Sequence, residues 1–138
     1  MFPSPFPSLI EQADRLINAK AFDALMNCYT NDAVLVVKPG SCATGRDAIR
    51  RAFEAIAAHF HGDLEVRQLD LREIVAGDVA LIMAKTSIRS GEAEWVRHAT
   101  YVYRRGEDGH WRCAVDNSYG TDLLDSPPKV DARAEASR

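Results

Sequence analysis

The chain has 138 residues, 46% hydrophobic and 27% charged, with a formal net charge of -3, a length that fits one domain and leaves no room for a second independent core. Acids are interspersed with bases along it, so neither a nucleic acid nor a membrane surface is an expected partner, and no apolar run approaches the roughly 18 residues of a membrane span. The opening MFPSPFPS lacks the charged and apolar regions of a secretory signal, and Cys28, Cys42 and Cys113 lack the spacing of a disulfide framework or zinc site, so a cytoplasmic protein with free thiols, no metal and no cofactor is expected.

The first predicted element is a helix. Ser8-Leu9-Ile10-Glu11 reads as a capping box that starts it near Ser8. Leu9, Ala13, Leu16 and Ile17, then Phe22, Leu25, Met26 and Tyr29, recur at helical spacing, as one broken helix or two short ones. DAVLVVK, from Asp32 to Lys38, predicts a strand stopped by Pro39-Gly40. Ile49, Ala52, Phe53, Ile56, Ala57 and Phe60 form the apolar stripe of a second helix, with Arg46, Asp47, Arg50, Arg51 and Glu54 opposite. After His61-Gly62-Asp63 the pattern is strands, with turn signals at Ala76-Gly77-Asp78, Ser90-Gly91 and Gly106 to Gly109. The expected order is α-α-β-α followed by an antiparallel meander, in one domain over residues 1–125 with a mobile tail over 126–138.

Hairpin loops set register, and register sets which side chains share a face. A two-residue turn at Ser90-Gly91 and a four-residue loop at Gly106 to Gly109 place Met83, His98 and Asn117 in one row, with Leu81, Thr100 and Val115 beside it and Val79, Val102 and Cys113 beyond. That face is mainly apolar, so it is the expected inner wall, with Lys85, Val96 and Tyr119 toward one end. Ala80, Ala84, Arg97, Tyr101, Tyr103, Arg112, Asp116 and Ser118 would then face outward, with Arg97 paired to Asp116.

The element order, together with CYTNDAVLVVKPGSCATGRDAIRRAF and ATYVYRRGEDGHWRCAVDNSYG, resembles the nuclear transport factor 2 superfamily over roughly residues 8 to 124. That superfamily includes ketosteroid isomerase, polyketide cyclase-like proteins and the association domain of calcium/calmodulin-dependent kinase. The signals are Asp32-Ala33 opening a strand, Gly45 ahead of Ile49 and Phe53, and the hairpin Gly109-His110-Trp111. The resemblance implies an α+β, cystatin-like fold: a curved antiparallel sheet wrapped around N-terminal helices, a cone-shaped barrel with a central pocket, and frequently a homodimer through the outer sheet face. A base late in the first strand, as in ketosteroid isomerase, has no counterpart in Val36-Val37-Lys38.

Within that frame His98 is the candidate catalytic residue, because an imidazole on an apolar wall exchanges a proton near neutral pH. Asn117 would orient it or bind a carbonyl; a core histidine satisfied by Asn117 is the bland reading. Tyr29, Met83, Lys85 and Tyr119 complete the candidate ligand-binding set. Tyr29 is placed on a helix bordering the cavity, and Lys85 at the mouth either holds an anion or covers apolar surface with its stem. Two functions stand: a small-molecule pocket protein with cofactor-free acid–base chemistry of isomerase, dehydratase or cyclase type, or a non-catalytic dimeric binding or assembly module. The dimer would pack through Ala80, Ala84, Ala99, Ala114, Tyr101 and Tyr103.

Overall fold

The computed structural model describes residues 4–125; the predicted tail over 126–138 lies outside them. Helix α1 runs over Phe6–Asn18, α2 over Phe22–Leu25 followed by a 3-10 turn Met26–Cys28, and α3 over Arg46–His59. The strands are β1 (Tyr29–Lys38), β2 (Ser41–Thr44), β3 (Leu64–Ala76), β4 (Val79–Ser90), β5 (Ala93–Arg105) and β6 (Trp111–Asn117), closed by a 3-10 turn Gly120–Leu124. They form one six-stranded sheet in the order β2-β1-β6-β5-β4-β3. The meander β3 to β6 is antiparallel as expected, but β1 joins β6 in parallel. The curved sheet stays open, with β2 and β3 as its edges, so it is an α+β half-wrap and not a closed barrel.

Helix α1 starts two residues before the predicted capping box. Its N-cap residue, Pro5, makes no side-chain cap, and Ser4 Oγ instead of Ser8 accepts the Phe6 N–H at 3.2 Å. Pro7 sits in the first turn, where a missing N–H costs nothing. Phe6, Ile10 and Asp14, each four residues from the last, are its buried row. Phe6 anchors the helix edge-on to Tyr103 and Trp111, with ring centroids 5.6 and 5.0 Å away. Of the two readings, one broken helix or two short ones, the structure has two short helices, parted after Asn18 where Lys20 adopts a φ of 57°.

Helix α3 is held at its start by Gly45, whose N–H donates to the Ala33 carbonyl at 2.8 Å and whose φ of 88° suits glycine. Ile49 and Phe53 are its buried residues. The sequence reading had no second strand after Pro39-Gly40; Ser41–Thr44 pairs antiparallel with β1 there.

The expected inner face of the sheet is reversed. Ala80, Ile82, Ala84, Thr86, Ala99 and Tyr103 are all at most 5% exposed, whereas Val79, Leu81, Met83, Val96 and Val115 are 36–50% exposed on the other side. The β4–β5 turn lies one residue later than Ser90-Gly91, pairing Ser90 with Ala93 and Lys85 with His98. A two-residue slide of this kind preserves which residues share a face, so the grouping survives while its orientation does not. Cys113 is inward as expected, but through a bulge between Val102 and Tyr103 that sets it opposite Tyr103.

Candidate active site

The concave side of the sheet and the helices α1 and α3 enclose a cavity of about 540 Å³, within the size range of small-molecule sites. Its wall is largely apolar, and two carboxylates interrupt it: Asp14 from α1 and Asp116 from β6.

Asp116 is set opposite Tyr101 by the β5–β6 register and accepts the Tyr29 hydroxyl at 2.6 Å. Tyr29 is the first residue of β1, not a helical residue as the sequence suggested, and is 3% exposed. The Arg46 guanidinium donates to its carbonyl oxygen at 3.0 and 2.6 Å from Nε and Nη2, fixing the strand entry to the start of α3. Burial is the main reason the Asp116 pKa rises above the ordinary carboxylate range, and the Tyr29 hydrogen bond opposes that rise. Burial, with the field of Asp116 behind it, pushes the Tyr29 phenol well above its usual value, so it remains a neutral donor.

Asp14 lies across the cavity and is 8% exposed. Gln68 Nε2 donates to its Oδ2 at 3.0 Å, and Thr86 Oγ1 donates to Gln68 Oε1 at 3.0 Å, so α1, β3 and β4 are joined through one polar relay. Burial raises its pKa to about 7; the Gln68 hydrogen bond opposes the rise, while the negative fields of Asp116 and Glu11 add to it. Neither carboxylate has a salt-bridge partner among the described residues. Asp14 is buried and Asp116 half-buried, neither has a compensating cation beside it, and the field of Asp116 raises the Asp14 pKa further.

Of the residues picked from the sequence, Tyr29 and Tyr119 line this cavity. The Tyr119 hydroxyl donates to the Val37 carbonyl at 3.4 Å. His98, Met83, Lys85 and Asn117 are not among the lining residues. His98 and Lys85 are exposed cross-strand neighbours on the convex face, and Met83 beside them is 39% exposed. Asn117 is paired with Thr100 instead of His98, and its amide holds the turn that follows β6. Nδ2 donates to Thr100 Oγ1 and to the Gly120 carbonyl, both at 3.2 Å, and Oδ1 accepts the Tyr119 N–H at 3.1 Å. The expected Arg97–Asp116 ion pair gives way to Arg97 lying over the Tyr119 ring, 4.2 Å from its centroid, and Asp116 points inward.

Asp14 was legible as an anomaly, since it sits four residues after Ile10 and three before Ile17, inside the apolar stripe of an amphipathic helix where a charge needs a reason. Among the described residues no cluster of three metal-ligating side chains exists, and no helix is long and apolar enough to cross a membrane.

Solved structures with this arrangement of elements are numerous. A protein from Novosphingobium aromaticivorans described as nuclear transport factor 2-like with a cystatin-like fold is 20% identical, with a TM-score of 0.68 over 94% of this chain and 83% of that one. Aln2 from a Streptomyces species is 18% identical, with a TM-score of 0.70 over 91% and 98% of the two chains. A Catenulispora acidiphila protein, solved in complex with S-DNPA, is 20% identical, with a TM-score of 0.64 over 80% and 86%. At these identities the likeness concerns the fold alone. The search of curated proteins found no match. The sequence profile of the SnoaL-like domain matches residues 10–114, and the chain therefore belongs to the SnoaL-like family of the nuclear transport factor 2-like superfamily.

Proposed function

We propose that this protein binds a small organic molecule in the cavity and moves a proton on it with Asp116 as base and Asp14 as acid, a cofactor-free reaction of isomerase, dehydratase or cyclase type. The observation that carries this reading is the pair of carboxylates from α1 and β6, one buried and one half-buried, set in a largely apolar cavity without a cation beside either. Environments that treat two like groups differently assign them different roles. Tyr29 donates to Asp116 and so favours its ionised form, which accepts a proton from a carbon next to a carbonyl. Asp14, with a pKa near 7, holds a proton at neutral pH and delivers it to the oxygen where charge develops.

The test is proton–deuterium exchange by NMR on a panel of ketones and β-keto esters in heavy water. The wild-type chain accelerates exchange for at least one class, and Asp116→Asn lowers the rate by about 10²–10⁴-fold. Binding that persists while neither Asp116→Asn nor Asp14→Asn changes any exchange rate would leave a carrier and remove the enzyme.

Pairing of two copies through the sheet belongs to the same proposal, on a face other than the one first expected. Ala80, Ala84, Ala99 and Tyr103 are buried on the cavity side and unavailable for it. What supports pairing is the convex stripe of Val79, Leu81, Met83, Val96 and Val115, apolar side chains left in water.

A further inference from the structure

We infer that the substrate is an organic anion with an aromatic or alicyclic body, whose oxyanion group is held at the cavity mouth by Arg97 while its far end reaches the carboxylate pair. The inference rests on the proposed function above and deepens it by naming the substrate class. The cavity wall carries charge of both signs. Lys38, which is exposed, and the half-buried Arg97 are its lysine and arginine cations, and Asp14, which is buried, and the half-buried Asp116 are its carboxylates. Arg97 has no carboxylate partner among the described residues; its guanidinium carbon lies over the Tyr119 ring, 4.2 Å from the centroid, and Tyr119 is itself hydrogen-bonded to the Val37 carbonyl. A planar cation stacked on a ring keeps its edge N–H groups free to grip an oxyanion with two parallel hydrogen bonds.

Three neighbours in the same wall reinforce the assignment. Trp95 Nε1 is buried with no hydrogen-bond partner, a second donor for which the protein provides no acceptor. Phe60 packs against the Trp95 ring at 5.8 Å, so the mouth has aromatic surface for a flat ligand body. Lys38, the exposed last residue of β1, lines the same cavity. Distance then limits ligand length. Arg97 stands four residues before Tyr101 on the same face of β5, and Tyr101 is opposite Asp116, which separates the cation from the Asp116 position by about 13 Å along the strand. Molecules of two or three fused or linked rings bridge that span once the reach of Arg97 is subtracted.

A matched pair of fluorescent probes tests this: 1-anilinonaphthalene-8-sulfonate, and N-phenyl-1-naphthylamine, which is the same skeleton without the anion. Both bind the wild-type chain. Arg97→Gln weakens the sulfonate probe by about tenfold and leaves the neutral probe within about twofold, while Arg97→Lys retains part of the difference. Equal losses for both probes in Arg97→Gln, or no loss for either, overturn the anion assignment and leave the pocket reading standing. Failure of both probes to bind wild type removes the pocket reading and this inference together. Sulfonate binding that is insensitive to Ala52→Phe, which fills the cavity from α3, places the probe outside the cavity and also overturns the assignment.

Discussion

Burial of Asp14 couples the folding of this chain to pH. A carboxyl raised to about 7 in the folded chain stays protonated where the unfolded chain has already released its proton. Between about pH 4 and pH 7 the unfolded state therefore binds fewer protons, and stability falls as pH rises through that window. Asp116, shifted the same way, adds to the slope. Urea unfolding at pH 5 and pH 8 should show wild type losing on the order of 2–4 kcal/mol. Asp14→Asn keeps an acceptor for Gln68 and should flatten much of that loss; an unchanged slope would mean Asp14 ionises normally. Gly120 is constrained differently. Its φ is 54°, and a Cβ there would overlap the His98 carbonyl oxygen, which is backbone and cannot step aside. Gly120→Ala should cost at least about 2 kcal/mol in the same assay.

At the scale of elements, β4 carries the test of which face is inside. Ile82 is fully buried and its neighbour Met83 is 39% exposed. Ile82→Ala should cost about 2–5 kcal/mol, whereas Met83→Ala should cost under about 1 kcal/mol in the monomeric chain. The opposite ranking would restore the face first expected from apolarity. Helix α1 offers a second check. Ser8 is exposed two residues inside a helix that begins at Phe6, so Ser8→Ala should change stability by no more than about 0.5 kcal/mol, where loss of a true cap would cost about 1. Element identity was readable because local pattern suffices for it: the stripe through Ile49, Phe53 and Ile56 needs only helical geometry, and each turn of the meander announced itself with glycine. The short β2 was not, because Ser41-Cys42-Ala43-Thr44 carries almost no apolar alternation and is a strand only by pairing with β1.

The whole molecule has a concave and a convex surface of opposite logic. Its cavity side holds Thr86, Arg97, Tyr101, Asp14 and Asp116, because a site must present polar groups to a ligand. The convex side holds valines, a leucine and a methionine that cost free energy in water unless something covers them. Sedimentation at micromolar concentration should therefore find a dimer, and Leu81→Glu should release monomers without lowering probe binding in the cavity. A wild-type monomer would remove the proposed pairing.

The sequence alone determined the fold class, the order of the helices and of the meander strands, and the grouping of residues on each face of β4 and β5, since periodicity, turn chemistry and the resemblance are local or ordered along the chain. It also named Tyr29 and Tyr119, which line the cavity. Orientation of the sheet needed the tertiary structure. The rule that the more apolar face is inside fails for a protein whose interior is a cavity with polar groups in its wall and whose exterior is an apolar stripe, and His98, Met83, Lys85 and Asn117 followed that rule to the wrong side. The pairing of Asp14 with Asp116 likewise came only from packing. Residues 102 positions apart, on a helix and a strand, share one low-dielectric space because Phe6 docks α1 against Tyr103 and Trp111, and no one-dimensional pattern records that contact.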